Sequence, residues 1–546
     1  MFARIKKSGK YQYLQIVENR REGKRTIQRV IGTVGRMDQL RARGDIDNLV
    51  RSLCRYSEKV MLVLSGKRDV VANSRKIGPS LIFERLWKQR GIQKVIKSLS
   101  VDRKFGFDIE RAIFLTVMHR LFVSGSDRFC DRWRRDYFIE GTEGLSLHQF
   151  YRAMGWMGEE VLDQEDATPF SPRCNKDLIE EGIFFEHRNL FSSLDLVFFD
   201  TTSIYFEGAG GESLGKRGHS KDHRPDLYQM VVGVVLDGSG NPICCEMWPG
   251  NTTDVKTLIP VVNRIRKRFK VGRFCVVSDR GMISKETIQE LEDPQNNIPY
   301  ILGTRMRNEN EVRLEVLSRP GSYKEVYPEG VSGKAPSPLQ VKEVWVDGRR
   351  YIVCLNTQQA RKDAFDRKAV VESLQEQLKK GVKTLVGNKG YRKYIKMKRE
   401  SVSIDFDKME AESRFDGKWV LRTNTKLSSE QVALKYKELW QVEYAFRDIK
   451  SVLGNRPVFH QLDETIRGHV FCSFLALILK KELFRRLEKA EHDFEWAAIK
   501  QDLKALQETV IEDNGTALAI RSECLGTCAK VFQSVGVAIP PTIREL

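Results

Sequence analysis

Two short apolar runs that fail to alternate, residues 194–199 (Leu-Asp-Leu-Val-Phe-Phe) and 274–278 (Phe-Cys-Val-Val-Ser), constrain this chain more than any other feature. A strand with one wet face alternates apolar and polar residues, so an unbroken run predicts a strand covered on both faces, as in an α/β sheet. Each run delivers an acid. Asp200 follows the first and precedes Thr201, Thr202 and Ser203; Asp279 follows the second and precedes Arg280 and Gly281, a turn signal. A carboxylate in such surroundings costs several kcal/mol unless a cation compensates it, and a divalent metal is the economical compensation. One acid at a strand end is more often a cap or turn residue, so the case depends on a third acid.

Glu443 supplies it. Tyr436, Trp440, Glu443, Arg447 and Lys450 follow a 4-3-4-3 spacing, which predicts an acid, two cations and two aromatics on one face of a single helix. Leu439, Val442, Phe446, Ile449 and Leu453 form an apolar stripe beside that face, so the same helix has a side to pack with. A solvated amphipathic helix would show the same two stripes. The two strand acids upstream favour a chemical face.

The rest of the chain reads as alternating regions. Residues 11–17 and 26–33 alternate on either side of a charged segment, Glu18-Asn-Arg-Arg-Glu-Gly-Lys-Arg25, which predicts a β-hairpin with a basic turn. From about 79 to 190 the pattern is helical, with amphipathic stretches at 81–95 and 109–122 and the basic run Asp131-Arg-Trp-Arg-Arg-Asp136. A DNA-binding helical region and a plain packing region fit that pattern almost equally. Strands at 194–199, 227–236, 242–248 and 274–278, with a helix at about 255–268, predict an α/β core. Strands at 341–346 and 351–355 and a charged helix near 360–379 separate Asp279 from Glu443, so the core is interrupted by an insertion. Everything after residue 466 reads as helical. The expected division is 1–75 (hairpin and linker), 76–190 (helical, DNA-binding), 191–299 (first part of the core), 300–425 (β-rich insertion), 426–490 (second part of the core) and 491–546 (helical tail).

The chain carries 92 Lys and Arg against 73 Asp and Glu, a formal charge of +19, which points to a polyanionic partner. Its longest apolar stretch near the end, residues 470–479, is about half a bilayer span and leads into Lys480 and Lys481, and the N-terminus has no signal-peptide pattern. No membrane partner and a cytoplasmic location are therefore expected. The ten cysteines are scattered, mostly inside apolar runs and without a C-x-x-C pair, and read as reduced thiols; Cys524 and Cys528 lack the partners of a zinc site. His219 and His223 are the nearest approach to a ligand pair. They lie in the basic loop Gly218-His-Ser-Lys-Asp-His-Arg-Pro-Asp226, where phosphate contact or turn structure is the better reading.

Taken together, these residues resemble the DDE transposases of bacterial insertion sequences, in the cut-and-paste branch marked by Tyr-x2-Arg-x3-Glu-x6-Lys. Tyr436, Glu443 and Lys450 fall at the motif spacing; Phe199-Asp-Thr-Thr202 and Val277-Ser-Asp-Arg-Gly281 resemble the two aspartate strands. Pro249-Gly-Asn-Thr-Thr-Asp254, Phe415-Asp-Gly-Lys-Trp419 and the N-terminal hairpin extend the likeness over most of the chain. The resemblance implies a ribonuclease H-like catalytic core with a β-rich insertion, and Asp200, Asp279 and Glu443 as ligands of two Mg²⁺, with Mn²⁺ able to substitute. It implies DNA cleavage at transposon ends by two-metal hydrolysis, with ions about 4 Å apart, and joining of the freed 3′-hydroxyls to target DNA. It further implies double-stranded DNA as partner, a homodimer in a synaptic complex, nucleoid association in a bacterium, and a hairpin intermediate whose flipped base is held by an aromatic residue. Trp345 and Trp419 are the candidates for that aromatic, against a simpler role packing the insertion. Lys221, Arg224, Arg280, Arg447, Lys450 and Tyr436 are the expected DNA contacts. The chain departs from the motif at Leu439, which stands where the family has Arg; Arg447, one turn beyond Glu443, is the expected replacement cation. Two other readings share parts of the pattern: a metal-dependent nuclease of the same fold that cuts without joining, and a non-catalytic DNA-binding derivative.

Overall fold

The computed structural model describes residues 2–22, 25–54, 71–123, 125–168, 171–187, 194–326, 339–380, 394–398, 401–452, 457–513 and 516–546. Leu453, part of the basic turn at 23–24, and the expected boundary at 190/191 lie outside the described residues. The chain forms two compact units, one of residues 83–132 and 140–486 and one of residues 1–82, 133–139 and 487–546.

The larger unit is built on a nine-stranded mixed sheet. Its strands are β1 (Leu196–Tyr205), β2 (Gln229–Asp237), β3 (Pro242–Pro249), β4 (Cys275–Ser278), β5 (Tyr300–Gly303), β6 (Lys324–Val326), β7 (Leu339–Val346), β8 (Arg349–Asn356) and β9 (Lys418–Thr423). Their spatial order is β6-β7-β8-β9-β5-β4-β1-β2-β3. β1, β2 and β3 pair antiparallel, while β4 and β5 run parallel to β1. The non-alternating runs are explained by cover on both faces. Phe199, Val197, Val231 and Val235 meet Leu258, Val261, Ile265 and Phe269 of helix α1 (Leu258–Phe269) in one core cluster. Asp200 follows Phe199 and so points to the other face. A buried ionic cluster ties α1 to the helix Asn175–His187: Arg268 reaches Glu180 at 2.6 Å and Asp177 at 3.1 Å, and Arg264 reaches Glu246 of β3 at 3.0 Å. Such a cluster fixes which elements pair more than it adds net stability.

Residues 300–425 are β-rich as expected, but they do not make a separate sheet. β6, β7, β8 and β9 extend the edge of the core sheet through the β9–β5 pairing, and among the described residues only the small hairpin Ile395–Lys398/Ser401–Ile404 stands apart. The helix α2 (Thr357–Lys380) lies between β8 and that hairpin in sequence. Within the helical region, Ile109–Phe122 is buried at every residue, the signature of a central packing helix.

The smaller unit corrects two expectations. The N-terminal hairpin is a three-stranded antiparallel sheet, Phe2–Ser8, Tyr11–Glu22 and Arg25–Arg36. The tail expected to be helical contains the strands Gln507–Asp513, Thr516–Arg521 and Ile543–Glu545, which form a four-stranded sheet with Val71–Lys76; helices occur at Trp496–Ala505 and Cys528–Val535. Thr509, Val510 and Ile511 are β-branched and their strand pairs antiparallel with Thr516–Arg521, so strand propensity outweighs helical periodicity there. Cys524 is half-buried, the other thiols described are buried, and none of them is in a disulfide. Among the described residues no helix is long and apolar enough to cross a membrane.

Candidate active site

The register of β1 against β4 is what brings the first two acids together. Phe199 pairs with Ser278, so Asp200 and Asp279, each the next residue, emerge side by side at the same end of two parallel strands. Ser278 reinforces the junction by donating its hydroxyl to the Phe199 carbonyl at 2.7 Å. Asp200 continues inside its strand, while Asp279 starts a turn of 3₁₀ helix, Arg280–Met282.

The expected single helix from Tyr436 to Lys450 is divided. Helix α3 (Ser429–Lys437) ends at Glu438, helix α4 (Trp440–Arg447) follows, and Asp448–Val452 widens into a π turn. At the joint the amides of Leu439, Gln441 and Val442 bond three residues back rather than four, a tighter winding than an α-helix. The π turn is anchored by the buried pair Asp448–Lys480 at 2.7 Å. The apolar stripe holds across the joint: Leu439, Val442, Phe446 and Ile449 are buried, and α4 packs on β1 and β2. Leu439 is thus a core residue at the joint.

Tyr436 and Glu443 nonetheless line one cavity, of about 1160 Å³, with Asp279, Arg280, Arg305 and Trp419. The Tyr436 hydroxyl donates to Asp279 Oδ1 at 3.2 Å, and burial raises its pKa. Trp419 brings a buried indole N–H that has no hydrogen-bond partner among the described residues. Trp345 is elsewhere: it is 56% exposed, and its indole donates to Glu343 of the same strand at 2.7 Å. Trp440, expected on the chemical face, is 58% exposed and packs edge-on against Tyr444.

The loop at 218–226 reaches into the site. Lys221 Nζ donates to the Thr201 carbonyl at 2.7 Å and to its hydroxyl at 2.9 Å, pairs with Asp254 at 3.1 Å and stands 3.8 Å from Asp200. Lys450 is held by Asp222 at 2.8 Å, and Arg224 by Asp226. These three expected DNA contacts therefore already have carboxylate partners. Arg280 and Arg447 are exposed and form no ion pair among the described residues. Asp254 and Asp222 enter the site without having been singled out; the only signals in the chain are the Asn-Thr-Thr-Asp254 turn and the density of charge around Lys221. His223 adopts a left-handed turn conformation (φ 58°), in keeping with a turn role for that loop.

Asp200 has the chemistry of a cation ligand. Its carboxyl is pushed up to about 6, first by burial and then by the charges of Asp279 and Asp254, against the opposing pull of Lys221 and the Thr201 amide. Oxygen donors in excess of nearby positive charge fit a hard divalent ion. In a second group, within 4.8 Å, Asp127 meets His460, 333 residues on, and His469. There Arg120 already donates to His469 Nδ1 at 2.8 Å and lies 3.2 Å from Asp127, so a cation is in place.

Residues 192–479 match the family model described as the transposase DDE domain, and residues 3–65 match the N-terminal domain of IS1634 family transposases. A cryo-EM structure of the piggyBac transposase synaptic complex with hairpin DNA aligns over 78% of this chain and 79% of its own, at 11% identity and a TM-score of 0.38, which bears on neither fold nor function. No curated protein matches the chain.

Proposed function

The chain belongs to the insertion-sequence DDE transposases, its domain match spanning more than half its length, and on that premise we propose that it cuts the ends of an insertion sequence and joins them to target DNA. The DDE match implies a ribonuclease H-like fold and use of divalent metal. In this reading Asp200, Asp279 and Glu443 hold two Mg²⁺ or Mn²⁺ ions. Bound there, the ions activate the attacking water or 3′-hydroxyl and stabilise the leaving oxygen. The observation that carries the reading is the β1–β4 register, which sets Asp200 beside Asp279, with Glu443 bordering the same cavity as Asp279.

The chain's own residues do the orienting. The Tyr436 hydroxyl fixes one oxygen of Asp279, leaving the other for a ligand. Arg280 and Arg305, two exposed cations of the cavity, face the phosphate backbone, and Trp419 offers its ring, and an indole N–H without a partner among the described residues, to an extrahelical base of a hairpin end. Residues 1–75 and the helical region to 190 recognise the ends, and the 491–546 segment supports a homodimer that synapses two of them. The protein works in the bacterial cytoplasm on nucleoid DNA. A nuclease without joining is the second reading, and an assay scoring cleavage and joining separately distinguishes the two.

Binding should rest mainly on phosphate contacts. Between 50 and 200 mM salt, affinity for end DNA falls by roughly 10³-fold if about six phosphates are neutralised, as fluorescence anisotropy would measure. A flat salt response would remove the electrostatic account. Arg447→Ala lowers cleavage by about 10-fold or more, since Arg447 is the exposed cation one turn from Glu443 and Leu439 supplies none. Cleavage unchanged in Arg447→Ala but abolished in Lys450→Ala would show that Arg447 replaces nothing.

A further inference from the structure

Asp254 is the fourth carboxylate of the site, yet its geometry differs from that of the other three. Oδ1 accepts the Thr201 hydroxyl at 2.6 Å, and Oδ2 faces the Lys221 ammonium at 3.1 Å. Both oxygens are taken. Asp200, in contrast, uses Oδ1 to accept the Thr201 amide at 2.7 Å, and Oδ2 has no hydrogen bond among the described residues. Lys221 donates to the Thr201 carbonyl and hydroxyl and forms an ion pair with Asp254 at 3.1 Å. Asp200 stays farther from the ammonium than Asp254 does, at 3.8 Å.

The loop carrying Lys221 is pinned independently. Its backbone amide donates to Ser203 Oγ at 2.9 Å, and a Cβ at Gly218 would lie 2.0 Å from the Gly250 carbonyl. Asp254 also closes on the turn after Asp279, where a Cβ at Gly281 would come 3.2 Å from its Oδ2. One side chain thus touches the strand of the first acid, the loop cation and the turn of the second acid.

We infer that Asp254 is a positioning residue, not a metal ligand: it holds the Lys221 ammonium off Asp200, so that the Asp200 carboxylate stays open to a divalent cation while keeping a positive neighbour. The inference rests on the proposed metal-holding role of Asp200, Asp279 and Glu443. Without the Asp254 charge the ammonium loses its nearest carboxylate and moves to the next one, Asp200, where it competes with the metal.

The test is direct Mn²⁺ binding to the full chain, followed by the loss of the free-ion electron paramagnetic resonance signal, alongside the Mg²⁺ concentration for half-maximal cleavage. Asp254→Asn weakens Mn²⁺ binding by about 10- to 100-fold, the usual range for a residue supporting a ligand. The double variant Lys221→Met/Asp254→Asn recovers affinity to within about threefold of wild type, because the competitor is gone; a purely structural role makes the double variant as weak as the single one or weaker. Asp254→Asn binding like wild type, or a double variant no better than the single, overturns the inference. Should Asp254→Asn fail to fold, Lys221→Met alone decides: affinity equal to or tighter than wild type supports it, and a tenfold loss overturns it. Wild type and Glu443→Gln serve as reference. Equal Mn²⁺ binding by those two would instead count against the triad of the proposed function.

Discussion

Glu443→Gln abolishes DNA cleavage and joining together, by on the order of 10³-fold or more, equivalent to about 4 kcal/mol of barrier, while leaving DNA binding within about twofold. The substitution keeps the size and one oxygen of the side chain but removes the charge. Glu443 sits exposed on α4 at the edge of the cavity that also exposes Asp279 and Tyr436, and the packing of α4 depends on Val442, Ala445 and Phe446. The loss is therefore chemical rather than architectural. With Mg²⁺ and DNA carrying the element's ends, wild type should both cut and join. Cutting without joining would favour a nuclease, and a Glu443→Gln protein that still cuts would remove Glu443 from the metal-holding set. Because one site serves both steps, the mutant cannot retain joining of pre-cut ends; if it does, cleavage and joining use different carboxylates.

The parts of this site legible in the chain are those written in contiguous residues. The runs before Asp200 and Asp279 lack alternation because both faces of β1 and β4 are covered, a local pattern with a single structural solution. The apolar stripe from Leu439 to Ile449 is equally local, and its residues are buried whether or not the helix bends. The joint at Glu438–Leu439 has no marker, since neither Gly nor Pro occurs between Lys435 and Lys450, and the π turn beyond it forms where Asp448 is drawn to Lys480, thirty-two residues away. Distance in the chain also hides Lys221 and Asp254, which meet only because β2 and β3 fold back beside β1. The tail shows a different failure. Its helical periodicity is real at Trp496–Ala505, but a period of 3.6 does not survive the β-branched run Thr509, Val510 and Ile511, whose strand pairs with Thr516–Arg521.

Asp200→Asn, which should be as inactive as Glu443→Gln, stabilises the metal-free protein. Asp200 is moved from its ordinary 3.8 to about 6, mainly by burial and by Asp279 and Asp254. The folded chain therefore binds a proton more tightly at this position than the unfolded chain does. Between about pH 4 and pH 6 the folded state carries the extra proton, so stability falls as pH rises through that window, and above about 6 the deficit is complete. Two units correspond to roughly 3 kcal/mol at neutral pH, an upper figure because part of the carboxylate reaches solvent. An amide keeps the acceptor for the Thr201 N–H and carries no charge to desolvate. In EDTA at pH 7.5 the unfolding midpoint of Asp200→Asn should exceed that of wild type, and at pH 4 the two should coincide. Added Mg²⁺ should raise the wild-type midpoint and leave the variant's unchanged, since only the wild type gains binding energy in the folded state. A lower midpoint for Asp200→Asn at pH 7.5 would mean that Lys221 at 3.8 Å already neutralises the acid, and that the site stores no strain for a cation to relieve. The expected sign is the reverse: a carboxylate that destabilises the empty fold marks where binding energy is converted into catalysis.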